Sequence, residues 1–357
     1  MTAKEYPLKS SLRLESIQIL RGIAASMVVF HHLSAAVMDY AHSNSMIVQS
    51  GLGRLGASGV DIFFVISGFI MVYTTRSKNR AIDAVLFLKK RVLRIYPLYW
   101  IWTSVILFLW LAGIGLRSHS YGIKYIFESY MLLPVANGTD FHPLLDQGWT
   151  LSFEMLFYLM FACVLSLSYK KVRAPILLAM FVAAYAIGGH LPGDSGVRYL
   201  FSNPILFEFL YGAFAAELTF RIWGIEPRPK LLAVVPYSAF GVGIALLLAN
   251  LYVPEAESTR CFNYGVPAFL IVLGAATWKA PNIHRGLVYL GNASYSIYLV
   301  HGLFSMALGM MLKRGARLVD NNPDIAIAVG TLITIWLTSL AYVAVEKPMM
   351  RFITRKA

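Results

Sequence analysis

The segment LLAVVPYSAFGVGIALLLANLYV, residues 231–253, decides the class of fold, because its 23 consecutive residues include no charged side chain. A helix of this length is about 35 Å long, which exceeds the hydrocarbon core of a bilayer at about 30 Å. The whole chain shares this character, with 58% hydrophobic residues, 14% charged residues and a mean hydropathy of +0.62. We therefore expect a membrane protein rather than a water-soluble domain.

Comparable apolar runs recur along all 357 residues. They are roughly 16 to 24 residues long and do not alternate in polarity, as the strands of a transmembrane barrel would. The sequence predicts one all-α domain, 1–357, that forms a polytopic transmembrane helical bundle with about ten spans. The predicted spans lie near 17–37, 57–75, 92–112, 147–168, 174–189, 200–220, 231–253, 262–278, 287–310 and 323–345. A further short helix is predicted at the membrane surface near 124–134.

The basic residues are distributed unevenly between the two sides of these spans. About 21 of the 31 Lys and Arg residues fall in the two tails and in alternate loops, and about eight fall on the opposite side. The positive-inside rule then places both termini in the cytoplasm, beside anionic membrane lipids, with the bacterial inner membrane as the expected location. No basic stripe is interleaved with aromatic residues, so the charge of +13 does not indicate nucleic-acid binding.

Ionisable side chains inside spans are costly and often mark functional sites. Arg21 and His32 are eleven residues apart in the first span, so they share one helix face and are separated by about 16 Å along the axis. Arg21 is predicted near the cytoplasmic end, and His32 in the outer half of the membrane. His32 is the first candidate for a catalytic base.

The predicted orientation places Asp61, Glu154 and His301 at a depth similar to that of His32. An imidazole that a carboxylate orients can take a proton from a hydroxyl group, so the four residues form a candidate acid/base site in one cavity. The alternative is that each forms a structural hydrogen bond between helices. No set of residues in the sequence indicates a metal site.

Two arginines mark the start of the third span. Arg91 and Arg94 are three residues apart on one helix face, and paired guanidinium groups are suited to bidentate contacts with phosphate oxygens. Lipid head-group anchoring at the cytoplasmic surface is the alternative. The depth of Arg94, inside the predicted span, favours a ligand contact.

Taken together, these residues resemble the motifs of the membrane acyltransferase 3 family, and within it those of the exopolysaccharide acetyltransferases of the ExoZ type. The resemblance covers nearly the whole chain and follows the order of the family's motifs. The matching elements are Arg21 with His32, GVDIFFVISGF at 59–69, Arg91 with Arg94, Ile95, Pro97 and Tyr99, WTLSFEMLFY at 149–158, Ser294 with Tyr295, Tyr298, Leu299 and His301, and Glu346 with Lys347 and Pro348.

The resemblance implies transfer of an acetyl or other acyl group from cytoplasmic acetyl-CoA to a sugar hydroxyl. The acceptor would be a polysaccharide or a lipid-linked oligosaccharide, and the histidine of the first span would be essential. In this hypothesis His32 is the base, and Glu154 or Asp61 orients its ring. The remaining assignments are Arg21, Arg91 and Arg94 to the acyl donor, and Trp149, Ser152, Tyr158 and His301 to the acceptor.

Several alternatives remain open from the sequence. His32 acts either as a general base or as a nucleophile that forms an acyl-histidine. A transporter or flippase for a lipid-linked sugar would use the same buried charges without covalent chemistry. The membrane-bound O-acyltransferases also place an essential histidine in a bundle, but not three turns from an arginine in the first span.

Overall fold

The computed structural model describes residues 10–40, 44–76, 84–114, 120–138, 140–167, 173–225, 230–253, 256–278, 285–314 and 321–356. Within these ranges the chain is helical, and the only β-type pairing is an isolated bridge between Asn137 and Asp140. The α-helices are α1 (Ser10–Tyr40), α2 (Met46–Gln49), α3 (Leu52–Leu55), α4 (Ser58–Arg76), α5 (Ala84–Leu111), α6 (Ile123–Tyr130), α7 (Gly148–Leu165), α8 (Arg173–His190), α9 (Gly196–Ser202), α10 (Glu208–Trp223), α11 (Lys230–Ala249), α12 (Val266–Thr277), α13 (Arg285–Lys313), α14 (Pro323–Ala341) and α15 (Lys347–Lys356). Two π-helical segments, Cys261–Gly265 and Tyr342–Glu346, precede α12 and α15.

Nine segments of the described chain are long and apolar enough to cross a membrane. They agree with nine of the predicted spans and confirm an all-α, polytopic integral membrane protein. Their bounds are Glu15–Asp39, Leu52–Thr75, Ala84–Leu111, Gly148–Leu165, Arg173–His190, Leu232–Tyr252, Glu257–Thr277, Arg285–Lys313 and Pro323–Ile353.

The predicted sixth span, 200–220, is interrupted in the structure. Helix α9 ends at Ser202, and a 3-10 turn over Pro204–Phe207 leads into α10. Pro204 disfavours helical geometry at Asn203, whose side chain accepts a hydrogen bond from the amide of Ile205 at 3.1 Å. The 16 residues of α10 span about 24 Å, which is shorter than the hydrocarbon core.

Glycines allow the central helices to pack backbone against backbone. A Cβ atom at Gly212 of α10 would lie 1.9 Å from the carbonyl oxygen of Val65 in α4. Likewise, a Cβ atom at Gly291 of α13 would lie 2.0 Å from the carbonyl oxygen of Gln18 in α1. Small residues at crossings are a common way to bring membrane helices together. These contacts fix α1, α4, α10 and α13 as the frame of the site.

The segment between α5 and α7 contains a short helix, α6, close to the predicted position near 124–134. It is attached to α5 by a hydrogen bond from the Tyr99 hydroxyl to the carbonyl of Ser129 at 2.7 Å. The Tyr125 hydroxyl donates to the carbonyl of His142 at 2.7 Å. The loop that enters α7 is therefore held in a defined position by buried tyrosines.

Candidate active site

A cavity lined by both apolar and polar side chains lies inside the bundle between α1, α4, α5, α7 and α13. Its volume of about 100 Å³ is sufficient for several water molecules or a small acyl group. The polar and ionisable side chains that line it are Arg21, Ser67, Arg91, Arg94, Thr150, Glu154, Tyr158, Ser294, Tyr295 and Tyr298. The structure therefore brings together the three arginines that the sequence assigned to the acyl donor.

Arg91 is held between aromatic rings. Its guanidinium carbon lies 5.3 Å from the ring centroid of Phe87 and 5.7 Å from that of Tyr158. Its Nε atom is buried and has no hydrogen-bond partner among the residues that the structure describes. Aromatic faces stabilise the cation without using its N–H groups, so Arg91 retains donors for an anionic ligand.

Glu154 is the acidic residue in the lining of this cavity. The Ser67 hydroxyl donates a hydrogen bond to its Oε1 atom at 2.9 Å, and the Tyr158 hydroxyl donates to the same oxygen. Hydrogen bonds from neutral donors compensate part of the cost of a buried carboxylate. The carboxylate is thus fixed beside the arginines at the centre of the bundle.

A second carboxylate stands close to the cavity. Glu346, in the π-helical segment before α15, accepts a hydrogen bond from the Ser296 hydroxyl at 2.6 Å. It is within electrostatic range of Arg21 and Arg94. Three arginines outnumber the two carboxylates of Glu154 and Glu346, so this end of the site has a net positive charge.

The histidine of the first span lies at a different end of the site. The ring centroid of His32 is 4.9 Å from that of His301, and the two planes are inclined by 46°. The His31 ring is 5.2 Å away in an edge-on arrangement, and its Nδ1 atom contacts the carbonyl oxygen of Gly53 at 3.0 Å. The structure therefore pairs two of the four predicted acid/base residues, His32 and His301.

His301 has a defined protonation pattern because of its backbone contacts. Its Nδ1 atom lies 2.6 Å from the carbonyl oxygen of Tyr298 and 3.3 Å from that of Ile297. Carbonyl oxygens only accept hydrogen bonds, so Nδ1 carries the proton and Nε2 of the neutral ring carries a lone pair. Nε2 is buried and has no partner in the described part of the chain.

Tyr298 separates the cavity from the histidine pair. It lines the cavity, and its ring centroid is 5.9 Å from that of His301 and 5.7 Å from that of Phe63. Its hydroxyl is hydrogen-bonded to the Thr150 hydroxyl at 2.7 Å and donates weakly to the Gln147 carbonyl at 3.4 Å. The arginine cavity and the histidine pair are therefore adjacent, and Tyr298 forms the wall between them.

Asp61 does not orient His32. Arg260, just before the π-helical segment of α12, donates from Nε to Oδ1 of Asp61 at 3.0 Å and from Nη2 to Oδ2 at 2.8 Å. Glu208 is buried beside this pair. The prediction that Asp61 shares a cavity with His32 is corrected, because its carboxylate is occupied by a cation that lies 199 residues away in sequence.

Glu154 does not orient His32 either, because its carboxylate belongs to the arginine cavity. Tyr158 lies with it there, rather than beside the histidines. Ser152 is buried and bonds weakly to the Gly148 carbonyl of its own helix at 3.4 Å. Trp149 is half-buried, with its ring centroid 5.9 Å from that of His142.

Sequence reasoning did not single out His142 as a site residue. Its Nδ1 atom contacts Asp140 at 2.9 Å and Asp146 at 3.6 Å, and it lies within electrostatic range of His32. Gln147 is buried next to Gly302, where a Cβ atom would lie 2.4 Å from its amide nitrogen. The sequence predicted only a short surface helix in this segment, and no pattern marked His142 or Gln147.

Comparison with known proteins identifies the family of the chain. The family model described as an acyltransferase domain, acyltransferase 3, matches residues 14–343, which is most of the chain. The chain belongs to the acyltransferase 3 family.

Members of this family from several bacteria are similar to the chain. The exopolysaccharide production protein ExoZ of Rhizobium meliloti is 33% identical over 83% of this chain and 90% of its own length. The acyltransferase MdmB of Streptomyces mycarofaciens is 24% identical over 97% of this chain and 94% of its own. The peptidoglycan O-acetyltransferase OatA of Listeria monocytogenes is 25% identical over 80% of this chain but only 48% of its own. No solved structure matches the chain.

This acyltransferase 3 protein therefore has two chemically different groups of side chains within one membrane bundle. The first offers cations in the arginine cavity, and the second offers a pair of imidazoles. Both begin on α1, because Arg21 and His32 are three turns apart on that helix.

Proposed function

We propose that the protein is an acetyl-CoA-dependent O-acetyltransferase of the inner membrane. Its acceptor is a sugar hydroxyl of an exopolysaccharide, another surface polysaccharide or a lipid-linked precursor. The observation that carries this proposal is the adjacency of the arginine cavity and the His32–His301 pair. The family membership supports the acyl transfer, and the resemblance to ExoZ and OatA supports a polysaccharide acceptor.

In this proposal the arginines bind the phosphate groups of the acyl donor. Arg91 has a buried, unused Nε donor, and Arg94 is exposed three residues further along α5. Charge-assisted hydrogen bonds from arginine to phosphate are among the stronger polar contacts in proteins. The excess of basic residues in the tails and alternate loops indicates that this end faces the cytoplasm, where acetyl-CoA is made.

At the histidine pair, His32 removes the proton of the acceptor hydroxyl. The oxygen forms a bond to the thioester carbonyl carbon, and the carbon–sulfur bond then breaks. His32 returns the proton to the departing thiolate, so the products are an acetyl ester and the free thiol with no net proton change. The alternative is that His32 first accepts the acetyl group itself and releases it to the hydroxyl in a second step.

Binding of the acyl donor can be tested with purified protein in lipid nanodiscs. Acetyl-CoA should raise the melting temperature of the wild type, and Arg91→Ala should reduce this increase. Lys90→Ala provides a matched control, because Lys90 is an exposed cation on the same helix and does not line the cavity. Absence of stabilisation, with transport of a lipid-linked sugar instead, would favour a flippase.

The complete function can be tested in cells. A strain that lacks the gene is supplied with the wild type, His32→Ala or Arg91→Ala. Each variant should leave the surface polysaccharide without ester-linked acetyl groups, as measured by mass spectrometry. The membrane level of each variant should be measured in the same cells. Polysaccharide that keeps its esters with both variants would contradict the proposal.

A further inference from the structure

His32 needs a partner if it acts as a base, because its ring must present a lone pair to the acceptor hydroxyl. The carboxylates expected from the sequence are occupied elsewhere, with Asp61 on Arg260 and Glu154 on Ser67 and Tyr158. His142 contacts the acidic side chains of its own loop. The partner must therefore come from the groups that directly surround the ring.

We infer that His301 positions His32 by accepting a hydrogen bond from it at Nε2, so that the two imidazoles work as a pair. This inference rests on the proposed function, because it concerns the base of that reaction. The completely buried Nε2 atom of His301 is an acceptor without a donor among the described residues. Such an atom is costly unless a donor reaches it during function.

The geometry agrees with this pairing. Two imidazole rings joined by an N–H···N bond of ordinary length have their centroids about 5 Å apart. The observed separation is 4.9 Å, with an inclination of 46° between the planes, so the rings lie at a suitable distance although no hydrogen bond joins them in this structure. Hydrogen bonds at catalytic sites are often poorly aligned without substrate and tighten when it binds.

The tautomer of His301 determines which ring of the pair donates the hydrogen bond and which ring accepts it. Its Nδ1–H donates to the Tyr298 carbonyl, so only Nε2 is free to accept from His32. One ring nitrogen of His32 then donates to His301, and the other carries the lone pair that receives the hydroxyl proton. When His32 takes that proton, the charge is shared with the second ring, whose Nδ1–H contact to the backbone remains intact.

A neutral partner suits this location. His301 is completely buried in α13, where a permanent carboxylate beside His32 would be costly to desolvate. A second imidazole adds no charge to the resting site and accepts charge only during turnover. His301 is therefore a positioning residue in this scheme, and His32 is the group that reacts.

Substitution of His301 tests the inference in purified protein with acetyl-CoA and a soluble oligosaccharide acceptor. His301→Phe keeps a ring but removes the acceptor atom, and kcat should fall by about 100-fold. His301→Gln places an amide oxygen near the position of Nε2, and it should recover at least about tenfold of that loss. Both KM values should change by less than about threefold, because in this scheme His301 acts through His32 and not on the acceptor, to which the sequence had assigned it.

His31→Asn is the matched control. It also removes an imidazole next to His32, but its amide keeps a donor near the position of Nδ1 for the Gly53 carbonyl. It should lower kcat by less than about threefold. A His301→Phe variant with normal kcat, or one that raises only the KM for the acceptor, would overturn the inference; so would a His301→Gln variant no better than His301→Phe.

A spectroscopic measurement separates the inference from the proposed function. In wild-type protein labelled with ¹⁵N-histidine and saturated with the oligosaccharide acceptor, His301 should show a protonated Nδ1, and its Nε2 should be coupled to a nitrogen of His32 through the hydrogen bond. This measurement needs no acyl donor and no turnover. If the wild type transfers no acetyl group, the proposed function fails; if the two rings show no coupling, or if His301 is protonated at Nε2, the pairing fails.

Discussion

Arg260 and Asp61 form a bidentate ion pair, with nitrogen–oxygen distances of 3.0 and 2.8 Å, although Asp61 is 0% exposed. The pair joins α4 to the π-helical segment before α12. Arg260 also donates to the Ala57 carbonyl at 3.4 Å, which lies just before α4. Breaking a buried ion pair leaves an uncompensated charge, whereas removing both charges is far less harmful.

Arg260→Leu should therefore lower the free energy of unfolding by roughly 3 kcal/mol, because it leaves the Asp61 carboxylate buried without a cation. The double variant Arg260→Leu/Asp61→Asn should recover about half of this loss. Thermal unfolding in nanodiscs measures both effects. Equal melting temperatures for the single and double variants would show that the charge of Asp61 does not need Arg260.

Arg94→Ala should weaken donor use only when the donor carries phosphates. With acetyl-CoA, the KM should rise by about 10- to 100-fold, because one charge-assisted contact of roughly 1.5 to 3 kcal/mol is lost. With S-acetylpantetheine, which has no phosphate group, the variant and the wild type should have the same KM. A similar increase in KM for both donors would indicate that Arg94 has a structural role and does not bind phosphate.

The Tyr158→Phe variant tests the contribution of one hydroxyl group in the cavity. It removes a donor from Glu154 but keeps the aromatic ring near Arg91, whose guanidinium lies 5.7 Å from the ring centroid. The freed carboxylate should compete with the donor phosphates for the arginines and raise the KM for acetyl-CoA by about tenfold. An unchanged KM together with a fall in kcat would instead assign Tyr158 to the chemical step.

Gly212→Ala should destabilise the bundle. Its Cβ atom would lie 1.9 Å from the Val65 carbonyl oxygen, so α10 and α4 must move apart. Gly241→Ala in α11 is the control, because nothing lies within 4 Å of its Cβ position. The first variant should lower the melting temperature and the folded yield, and the second should leave both unchanged. A melting temperature that Gly212→Ala does not lower would show that α10 and α4 tolerate the added Cβ atom, because alanine itself favours the helix over glycine.

Apolar length predicted the spans well, because membrane helices need a minimum length of uncharged residues. It failed at 200–220, where Asn203 and Pro204 break the helix inside an apolar run. The same pattern placed the start of the third span at residue 92, whereas α5 begins at Ala84. Arg94 therefore lies about 15 Å along its helix, which brings it to the level of Glu154.

The candidate site was predictable in part. Spacing paired Arg91 with Arg94, the family resemblance added Arg21 to the acyl donor, and all three residues line one cavity in the structure. Depth alone does not tell which helices are neighbours, so it grouped His32 with Asp61 and Glu154. The partner of Asp61 lies at the edge of a distant span, and only the three-dimensional structure identifies it.

The wall that Tyr298 forms has a consequence for the barrier properties of the membrane. In the proposed function, the donor and the acceptor approach from opposite faces, and such an enzyme must not become a leak for ions or protons. The Tyr298 ring, packed beside Phe63 and held by the Thr150 hydroxyl, lies between the arginine cavity and the histidine pair. In the proposed function, a tyrosine at this point restricts the passage of ions across the centre of the bilayer.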